Sequence, residues 1–392
     1  MDGNPKFSRR GFVGGVATAL GYLTLDPSSR LWAQSVARSD ASPSRSIIDE
    51  YDSLAKLANN ENPYGPSEAV MKAMTQSFKY ANRYGYPDGG ITQAVAKHHG
   101  VKEENVMLGS GSGEILDVAC NTYLREGRKI LSSEPSYDVI FQHVTAYKAT
   151  SIKVPSLPDF RQDIPGLIKA ARAYSRDIGF VYICSPNNPT GRIVTKQEIK
   201  QLLDGIPEDM PVLIDEAYFH FVEDPDYETS IPHVFENRPV MVTRTFSKVA
   251  ALAGMRLGYV IAPTEMIRDM RPYATGTINA IVKWGGVAAL SDIETQAKVK
   301  RATLDLRRKT ATELQSLGYS VVPSEANFIF VHVRRPVPSV IDEFKKRGIL
   351  VGRPFPPFME HLRVSIGTAD EMSRFMTAFR EILGQTRTAK AG

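Results

Sequence analysis

Residues 240–248 read Val-Met-Val-Thr-Arg-Thr-Phe-Ser-Lys, an apolar run followed by hydroxyl side chains and an amine. The run favours a short buried strand, so Lys248 is expected just beyond the strand's end. Residues 212–214 repeat this pattern, with Asp215 at the end of a Val-Leu-Ile run. Runs of this kind alternate with helical stretches from residue 106 to residue 261. The alternation predicts an α/β fold with a mostly parallel sheet, which binds ligands at the carboxyl ends of its strands.

The element pattern divides the chain into a large and a small domain. The predicted strands of the large domain are 106–108, 129–131, 151–154, 179–184, 212–214, 240–243 and 257–261. The predicted helices between them begin near Gly113, Ser136, Ile164, Thr195 and Lys248. From residue 281 onward, helices and short strands predict a smaller α+β domain. The predicted divisions are a leader at 1–37, a linker and arm at 38–55, a large domain at 56–275, a small C-terminal domain at 276–386, and a tail at 387–392.

The first 37 residues have the composition of a targeting segment. Ser8-Arg9-Arg10-Gly11-Phe12 precedes a modestly apolar stretch, and small-residue cleavage positions follow at Ala33 and Ala37. A paired arginine in this context resembles a twin-arginine signal peptide. The apolar stretch is too short and too rich in glycine for a stable membrane span. We therefore expect periplasmic localisation through the twin-arginine export machinery, which carries folded proteins, or a cytoplasmic protein if the leader is not a working signal.

Charge and cysteine content exclude several classes of function. The net charge is +5, but residues 1–45 carry +3 of it, which leaves the body almost neutral. A nearly neutral body predicts no nucleic-acid partner. Cys120 and Cys184 lie in apolar patterns and are predicted to be buried free thiols. Because Cys and His residues show no metal-ligand spacing, no metal is expected.

Three further segments complete a recognisable set of groups. Residues 185–191 read Ser-Pro-Asn-Asn-Pro-Thr-Gly, residues 212–218 read Val-Leu-Ile-Asp-Glu-Ala-Tyr, and residues 253–259 read Ala-Gly-Met-Arg-Leu-Gly-Tyr. With Lys248 they supply an amine, an acid, an amide, a phenol and an arginine. The arrangement resembles the fold-type I pyridoxal-phosphate aminotransferases of class I/II, and within them the histidinol-phosphate aminotransferase family. The resemblance extends from Lys56 to Gly367 and implies pyridoxal 5'-phosphate as cofactor and a homodimer with shared active sites.

The resemblance assigns the catalytic roles to Lys248, Asp215 and Tyr218. The Lys248 amine would form a Schiff base with the cofactor and move a proton to or from the substrate. The Asp215 carboxylate would favour the protonated pyridine nitrogen. Tyr218 and Asn188 would donate hydrogen bonds to the cofactor phenolate oxygen, and Tyr137 would stack on the ring.

The cofactor phosphate needs amides, hydroxyls and a cation. Ser110, Gly111 and Ser112 lie between a strand and a helix, where backbone N–H groups can face an anion. The additional candidate donors are Thr245, Ser247 and Arg256. By resemblance, Tyr86 would reach the phosphate bound by the neighbouring subunit.

The substrate end is less well specified. Arg363 matches the family arginine that binds the substrate α-carboxylate, and Arg353 is a candidate for a substrate phosphate, although Gly352 alters its spacing. Asn62, Tyr64 and Asn327 are further substrate-pocket candidates. Phe355 and Phe358 suggest an aromatic or apolar pocket. We therefore expect transfer between an aromatic or apolar amino acid and a 2-oxo acid, with L-histidinol phosphate and 2-oxoglutarate as the alternative substrates.

The sequence also bears on three other classes of function. Residues 109–114 begin like a dinucleotide-binding loop, but Glu114 occupies the position of the third glycine, so that fingerprint fails. A non-enzymatic scaffold would be expected to lack the lysine, the acid or the substrate arginine, and all three are present. Decarboxylation, racemisation and elimination stay open, because one fold serves many chemistries.

Overall fold

The central sheet has seven strands, and it positions the site. The computed structural model describes residues 50–236 and 238–384; the predicted leader and tail lie outside the described residues. The strands are β1 (Ala55–Leu57), β2 (Val106–Gly109), β3 (Lys129–Glu134), β4 (Thr150–Pro155), β5 (Ile178–Cys184), β6 (Val212–Asp215), β7 (Val240–Thr245), β8 (Gly258–Ile261), β9 (Ser320–Val322), β10 (Phe328–His332), β11 (Ile349–Val351) and β12 (His361–Ser365). The order in the sheet is β2-β8-β7-β6-β5-β3-β4, and β8 alone runs opposite to the other six strands. The predicted mostly parallel α/β fold is confirmed.

Helices cover the sheet, and several begin at side-chain caps. The helices are α1 (Glu68–Ser77), α2 (Ile91–His99), α3 (Ser112–Tyr123), α4 (Val139–Ala146), α5 (Ile164–Ala173), α6 (Lys196–Gly205), α7 (Thr264–Met270), α8 (Ala280–Ser291), α9 (Ile293–Ser316), α10 (Val337–Lys345) and α11 (Ala369–Leu383). Thr195 with Glu198, and Thr368 with Glu371, form capping boxes at α6 and α11. These pairs satisfy backbone N–H groups that a helix leaves free in its first turn.

Both faces of the sheet are buried. Every residue of β5 is buried, and successive side chains enter two different cores. Val181 and Ile183 pack on one face, whereas Phe180 and Tyr182 pack on the other. Since side chains alternate across a strand, a strand buried on both faces is apolar throughout, as this run is. Cys120 and Cys184 are free and buried, as predicted.

The C-terminal part forms smaller sheets of its own. β9, β10 and β12 form an antiparallel sheet, and β1 pairs in parallel with β11. α10 and α11 contribute Val340 and Phe375 to the apolar core beneath these strands. The boundary placed at residue 275 stays a prediction. β1 and β11 were not predicted as strands, because three residues carry too little pattern.

The helix predicted to begin near Lys248 is wrong. Residues 248–257 form turns, in which the Ala251 N–H donates to the Lys248 carbonyl at 3.0 Å. The chain then returns as β8, antiparallel to β7. An antiparallel neighbour needs no crossover helix, and this explains the short connection.

A buried ion pair ties β6 to β7 at the edge where the predicted site lies. Arg244 and Glu216 are 3% and 0% exposed, and the Arg244 Nη2 lies 2.7 Å from the Glu216 Oε2. The Thr229 hydroxyl and the Ser230 N–H also donate to this carboxylate. Such complete hydrogen bonding is what allows two charges to be buried. Across residues 50–236 and 238–384, no helix is long and apolar enough to cross a membrane.

Candidate active site

A cavity of about 570 Å³ opens at the carboxyl ends of β5, β6 and β7. Asn59, Asn60 and Glu61, which follow β1, form another part of its wall. The predicted site residues in the wall are Ser112, Tyr137, Asn188, Asp215, Tyr218, Thr245, Ser247, Lys248, Arg256, Arg353 and Arg363. The structure therefore gathers into one cavity residues from six separate stretches of sequence.

Asp215 ends β6 and is 2% exposed. It accepts hydrogen bonds from the Tyr182 hydroxyl at 3.0 Å and from the Ala217 N–H at 3.1 Å. Burial raises the pKa of Asp215 to about 6, although both hydrogen bonds oppose the shift. Asp215 is thus a carboxyl group held in a fixed orientation by neutral donors.

Lys248 follows β7 and is partly buried. Its Nζ donates to the Asn59 carbonyl at 3.2 Å and lies 5.4 Å from the centroid of the Tyr218 ring. Burial, and then the nearby Arg363 charge, lower the pKa of Lys248 to about 8. A lysine with a lowered pKa has a larger neutral fraction and is therefore a better nucleophile and base.

Amide side chains surround the Tyr218 hydroxyl. The Asn60 Nδ2 donates to it at 2.9 Å, and the Asn188 Nδ2 lies at 3.5 Å. Asn60 is also bonded to Ser365, through both its backbone N–H and its side-chain oxygen. Burial raises the pKa of Tyr218, so the phenol keeps its proton near neutral pH.

Sequence reasoning missed Asn60 and Tyr182. Asn60 is 1% exposed and has a φ of 55°, a left-handed conformation that asparagine tolerates better than most residues. Its signal was the Asn-Asn-Glu-Asn-Pro turn at residues 59–63. Tyr182 gave no signal, because it reads as one more apolar position of β5.

An anion cradle lies at the start of α3. Gly111 has a φ of +77°, and a Cβ there would collide with the Arg256 guanidinium. The Arg256 Nη2 donates to the Ser110 carbonyl at 3.3 Å. The hydroxyls of Thr245 and Ser247 lie 2.9 Å apart at the end of β7. Amides at a helix start, hydroxyls and a guanidinium together suit a phosphate group.

Two more arginines line the cavity. Arg363, on β12, is 6% exposed; it donates to the Asn188 Oδ1 at 2.6 Å and also to the Ala58 carbonyl. Burial lowers the pKa of Arg363 to about 10. Arg353 is half-exposed, and its Nη2 lies 2.5 Å from the Asp138 Oδ2. These guanidiniums are candidates for binding substrate anions.

Six predicted site residues lie outside the cavity wall in the single chain. The Asn62 side chain donates to the Val249 carbonyl, and Tyr64 is 48% exposed. Asn327 is buried and donates to the Asn60 carbonyl at 3.0 Å, so it supports a wall residue. Tyr86 is 81% exposed. Ser110 and Gly111 contact the cavity through Arg256.

Phe355 and Phe358 lie outside the wall of the 570 Å³ cavity, but Phe355 lines an adjoining cavity of about 350 Å³ together with Phe141, Pro356 and Arg353. The expected aromatic or apolar pocket therefore stays a prediction. Both rings pack around Phe330 in a cluster that also includes Phe160 and His361. The wall is mostly polar, and its aromatic members are Tyr137 and Tyr218.

A family model described as aminotransferase class I and II matches residues 52–379. The chain belongs to this family. This aminotransferase is 35% identical over 337 residues to a histidinol-phosphate aminotransferase from Moorella thermoacetica, which covers 84% of this chain and 86% of the relative. A crystal structure from Erwinia carotovora atroseptica has a TM-score of 0.81 at 30% identity and covers 84% of this chain and 97% of that one. The structure of a Sinorhizobium meliloti histidinol-phosphate aminotransferase in complex with pyridoxal-5'-phosphate has a TM-score of 0.79 at 23% identity, with 89% and 96% covered, and supports the fold.

The enzyme is a transaminase, and its cofactor is pyridoxal 5'-phosphate. When bound, the cofactor supplies an electron sink for the substrate α-carbon. The residues of the cavity fit this group: the anion cradle with Arg256 would hold the phosphate, and Asp215 would hold a proton at the ring nitrogen. Lys248 would carry the proton to and from the α-carbon. Family membership excludes the dehydrogenase and scaffold alternatives.

The lowered pKa of Lys248 predicts a pH effect on stability of the cofactor-free protein. Because the pKa falls from 10.5 to about 8 on folding, the unfolded chain binds more protons between these pH values. The free energy of unfolding should therefore rise with pH across that window, and Lys248→Met should remove that part of the rise. Urea unfolding of wild type and variant at pH 8, 9 and 10 measures the difference.

Lys298→Met is the matched control, since Lys298 is exposed on α9 beside Glu294. It should keep the wild-type slope. Equal slopes for wild type and Lys248→Met would show that Lys248 is not held in a charge-disfavouring site.

Proposed function

We propose that this aminotransferase takes the amino group of L-histidinol phosphate and passes it to 2-oxoglutarate. The histidinol-phosphate aminotransferases among its relatives support this alternative better than the expected aromatic or apolar amino acid. The structural observation that carries the proposal is the presence of Arg353 beside Arg363 in the cavity wall.

The number of arginines available to a substrate in the cavity wall matches the number of negative charges on each of these two substrates. Arg256 serves the anion cradle, which leaves Arg353 and Arg363 for the substrate. A phosphate monoester carries up to two negative charges and accepts hydrogen bonds from two guanidiniums. 2-Oxoglutarate carries two carboxylates and uses the same pair. Donor and acceptor bind in separate half-reactions, so one pair of arginines serves both.

An amino acid with a neutral aromatic side chain would make fewer charged contacts with this wall. Its amino acid offers one carboxylate, which Arg363 alone would bind. Phe355 and Phe358, which suggested an aromatic pocket, lie outside the wall. The remaining aromatic rings, Tyr137 and Tyr218, would contact the cofactor instead.

Comparison of donors tests the substrate. With 2-oxoglutarate as acceptor, kcat/KM for L-histidinol phosphate should exceed that for L-phenylalanine at least about 100-fold, since the loss of paired charged contacts costs about 3 kcal/mol. Arg353→Ala should weaken use of L-histidinol phosphate by about 1.5–3 kcal/mol, the worth of a charged hydrogen bond.

L-Histidinol, which lacks the phosphate, is the control substrate. Its kcat/KM should change little in Arg353→Ala. A wild-type preference for phenylalanine would return the assignment to an aromatic amino-acid aminotransferase.

We further propose a homodimer in which Tyr86 completes the partner's site. Tyr86 is exposed, and so are the nearby apolar side chains Tyr84, Phe78, Met71 and Tyr64 on α1 and the residues around it. A concentration of exposed large apolar side chains is typical of a surface that another protein covers. A second copy is the occupant we propose, because the predicted phosphate role of Tyr86 requires one.

Subunit mixing tests the shared site. Lys248→Ala and Tyr86→Ala homodimers should each have low activity, and a mixture should regain part of it, because one of the two mixed sites has both residues intact. Lys248→Ala mixed with Asp215→Asn is the negative control: both residues belong to one chain's cavity, so each site of the mixed dimer lacks one of them and no activity should return. Absence of recovery in the test pair, with subunit exchange demonstrated independently, would contradict the role of Tyr86 across the interface.

Residues 1–37 are proposed to be a twin-arginine signal that directs the enzyme to the periplasm. The support is Ser8-Arg9-Arg10-Gly11-Phe12 and the advantage of loading the cofactor before export of the folded chain. A phosphorylated biosynthetic intermediate is expected in the cytoplasm, so export to the periplasm counts against the substrate proposal, and each of the two proposals has its own test.

Replacement of Arg9 and Arg10 by lysine should keep the protein in the cytoplasm with its leader uncleaved, because an ammonium lacks the planar fork of a guanidinium. Fractionation with immunoblotting measures this. Replacement of Arg30 and Arg38 by lysine is the control and should leave export intact. Unaltered export of the Arg9 and Arg10 variant would reject the twin-arginine route.

A further inference from the structure

One aromatic ring contacts both arginines of the substrate end. The Arg353 guanidinium carbon lies 4.2 Å from the centroid of the Phe355 ring, and that of Arg363 lies 4.7 Å from it. Both distances are within the range of a cation–π interaction. Phe355 is 4% exposed and Arg363 is 6% exposed, so their contact is shielded from water, whereas Arg353 reaches the ring from a half-exposed position.

The ring offsets part of the repulsion between the two guanidiniums. Two guanidiniums close together repel each other, and Arg353 contributes to lowering the pKa of Arg363, after burial. A ring face attracts a cation through its quadrupole and does not neutralise it. Phe355 therefore holds the two cations near each other and leaves their charge available. Asp138 also binds Arg353, but from a carboxylate that is partly exposed.

Phe355 is itself held in place by its surroundings. Its ring meets Phe330 edge-on, with centroids 6.3 Å apart and planes at 82°. Pro354 and Pro356 flank it and restrict the backbone on both sides. The Gly352 N–H donates to the Arg363 carbonyl at 2.9 Å, and a Cβ at Gly352 would lie 2.7 Å from that oxygen. Gly352 thus lets this segment pass close to Arg363.

We propose that Phe355 is a positioning residue that sets the separation of Arg353 and Arg363, and thereby the preference for doubly anionic substrates over singly anionic ones. This rests on the proposed use of both arginines for substrate anions. Without the ring, Arg353 would be held only by Asp138 and by the adjacent Pro354 carbonyl, to which its Nη1 donates at 2.9 Å, and would move away from Arg363. Binding of one carboxylate at Arg363 would persist.

The test measures one half-reaction, in which holoenzyme whose cofactor already carries the amino group reacts with an oxo acid. The two oxo acids compared are 2-oxoglutarate and pyruvate, which lacks the second carboxylate. Single-turnover absorbance gives the apparent Kd and the maximal rate for each. Phe355→Leu should weaken 2-oxoglutarate binding about 10-fold, corresponding to the loss of the cation–π contacts, with pyruvate changed less than about threefold. The maximal rates should stay close to wild type. Phe355→Tyr, which keeps the ring, should restore the preference.

Phe358→Leu is the matched control, because Phe358 belongs to the same cluster and its ring packs against Phe330, Phe160 and His361. It should keep the wild-type ratio. Phe355→Met, which fills a similar volume, replaces Phe355→Leu if that variant folds poorly. Equal losses for both oxo acids, or an equal change of the ratio in Phe358→Leu, would overturn the proposal. Because no donor is used, failure of L-histidinol phosphate as a substrate leaves this result unaffected.

Discussion

Burial of ionisable groups beside uncharged partners is the constraint on which this active site depends. Asp215 is bonded to a phenol and an amide, Lys248 to a carbonyl, and Arg363 to an amide side chain and a carbonyl. Burial shifts the pKa of each toward the neutral form. A charge removed from water is costly unless it is paired. Ligands that bring a protonated ring nitrogen or an anion relieve this cost, so binding and ionisation are coupled.

The sheet supplies the rigidity that this constraint requires. Asp215 ends β6 and Thr245 ends β7, and Glu216, the residue after β6, is bonded to Arg244 of β7. The ion pair therefore joins the two strands that carry the acid and the lysine. Its charges satisfy one another, whereas Asp215, Lys248 and Arg363 in the cavity are hydrogen-bonded to uncharged groups. The same sheet edge thus contains one charge pair for structure and separate charges for ligands.

The sequence allowed prediction where local pattern and chemistry coincide. Asp215 and Lys248 could be found because each follows a strongly apolar strand, and α11 begins where its Thr368 capping box begins. The turn at residues 59–63 marks Asn60, but its role could not be assigned from the sequence, because its partners Tyr218 and Ser365 are distant along the chain. The helix expected at Lys248 failed because the antiparallel return of β8 is a tertiary property. The position of Phe355 outside the main cavity could not be predicted for a similar reason, since nothing local shows which side of a loop a ring faces.

The pairing of β1 with β11 has a consequence for the order in which the parts of the cavity form during translation. The Asn60 N–H bonds to Ser365, a residue 305 positions later, and the same segment supplies the Asn59 carbonyl that accepts from Lys248. A ribosome releases residues 55–61 early, but their partners on β11 and β12 emerge almost at the end of translation. Contacts between such distant segments form late in folding. The strand ends that hold the cofactor can therefore assemble first, and the last wall of the cavity closes only when synthesis is nearly complete.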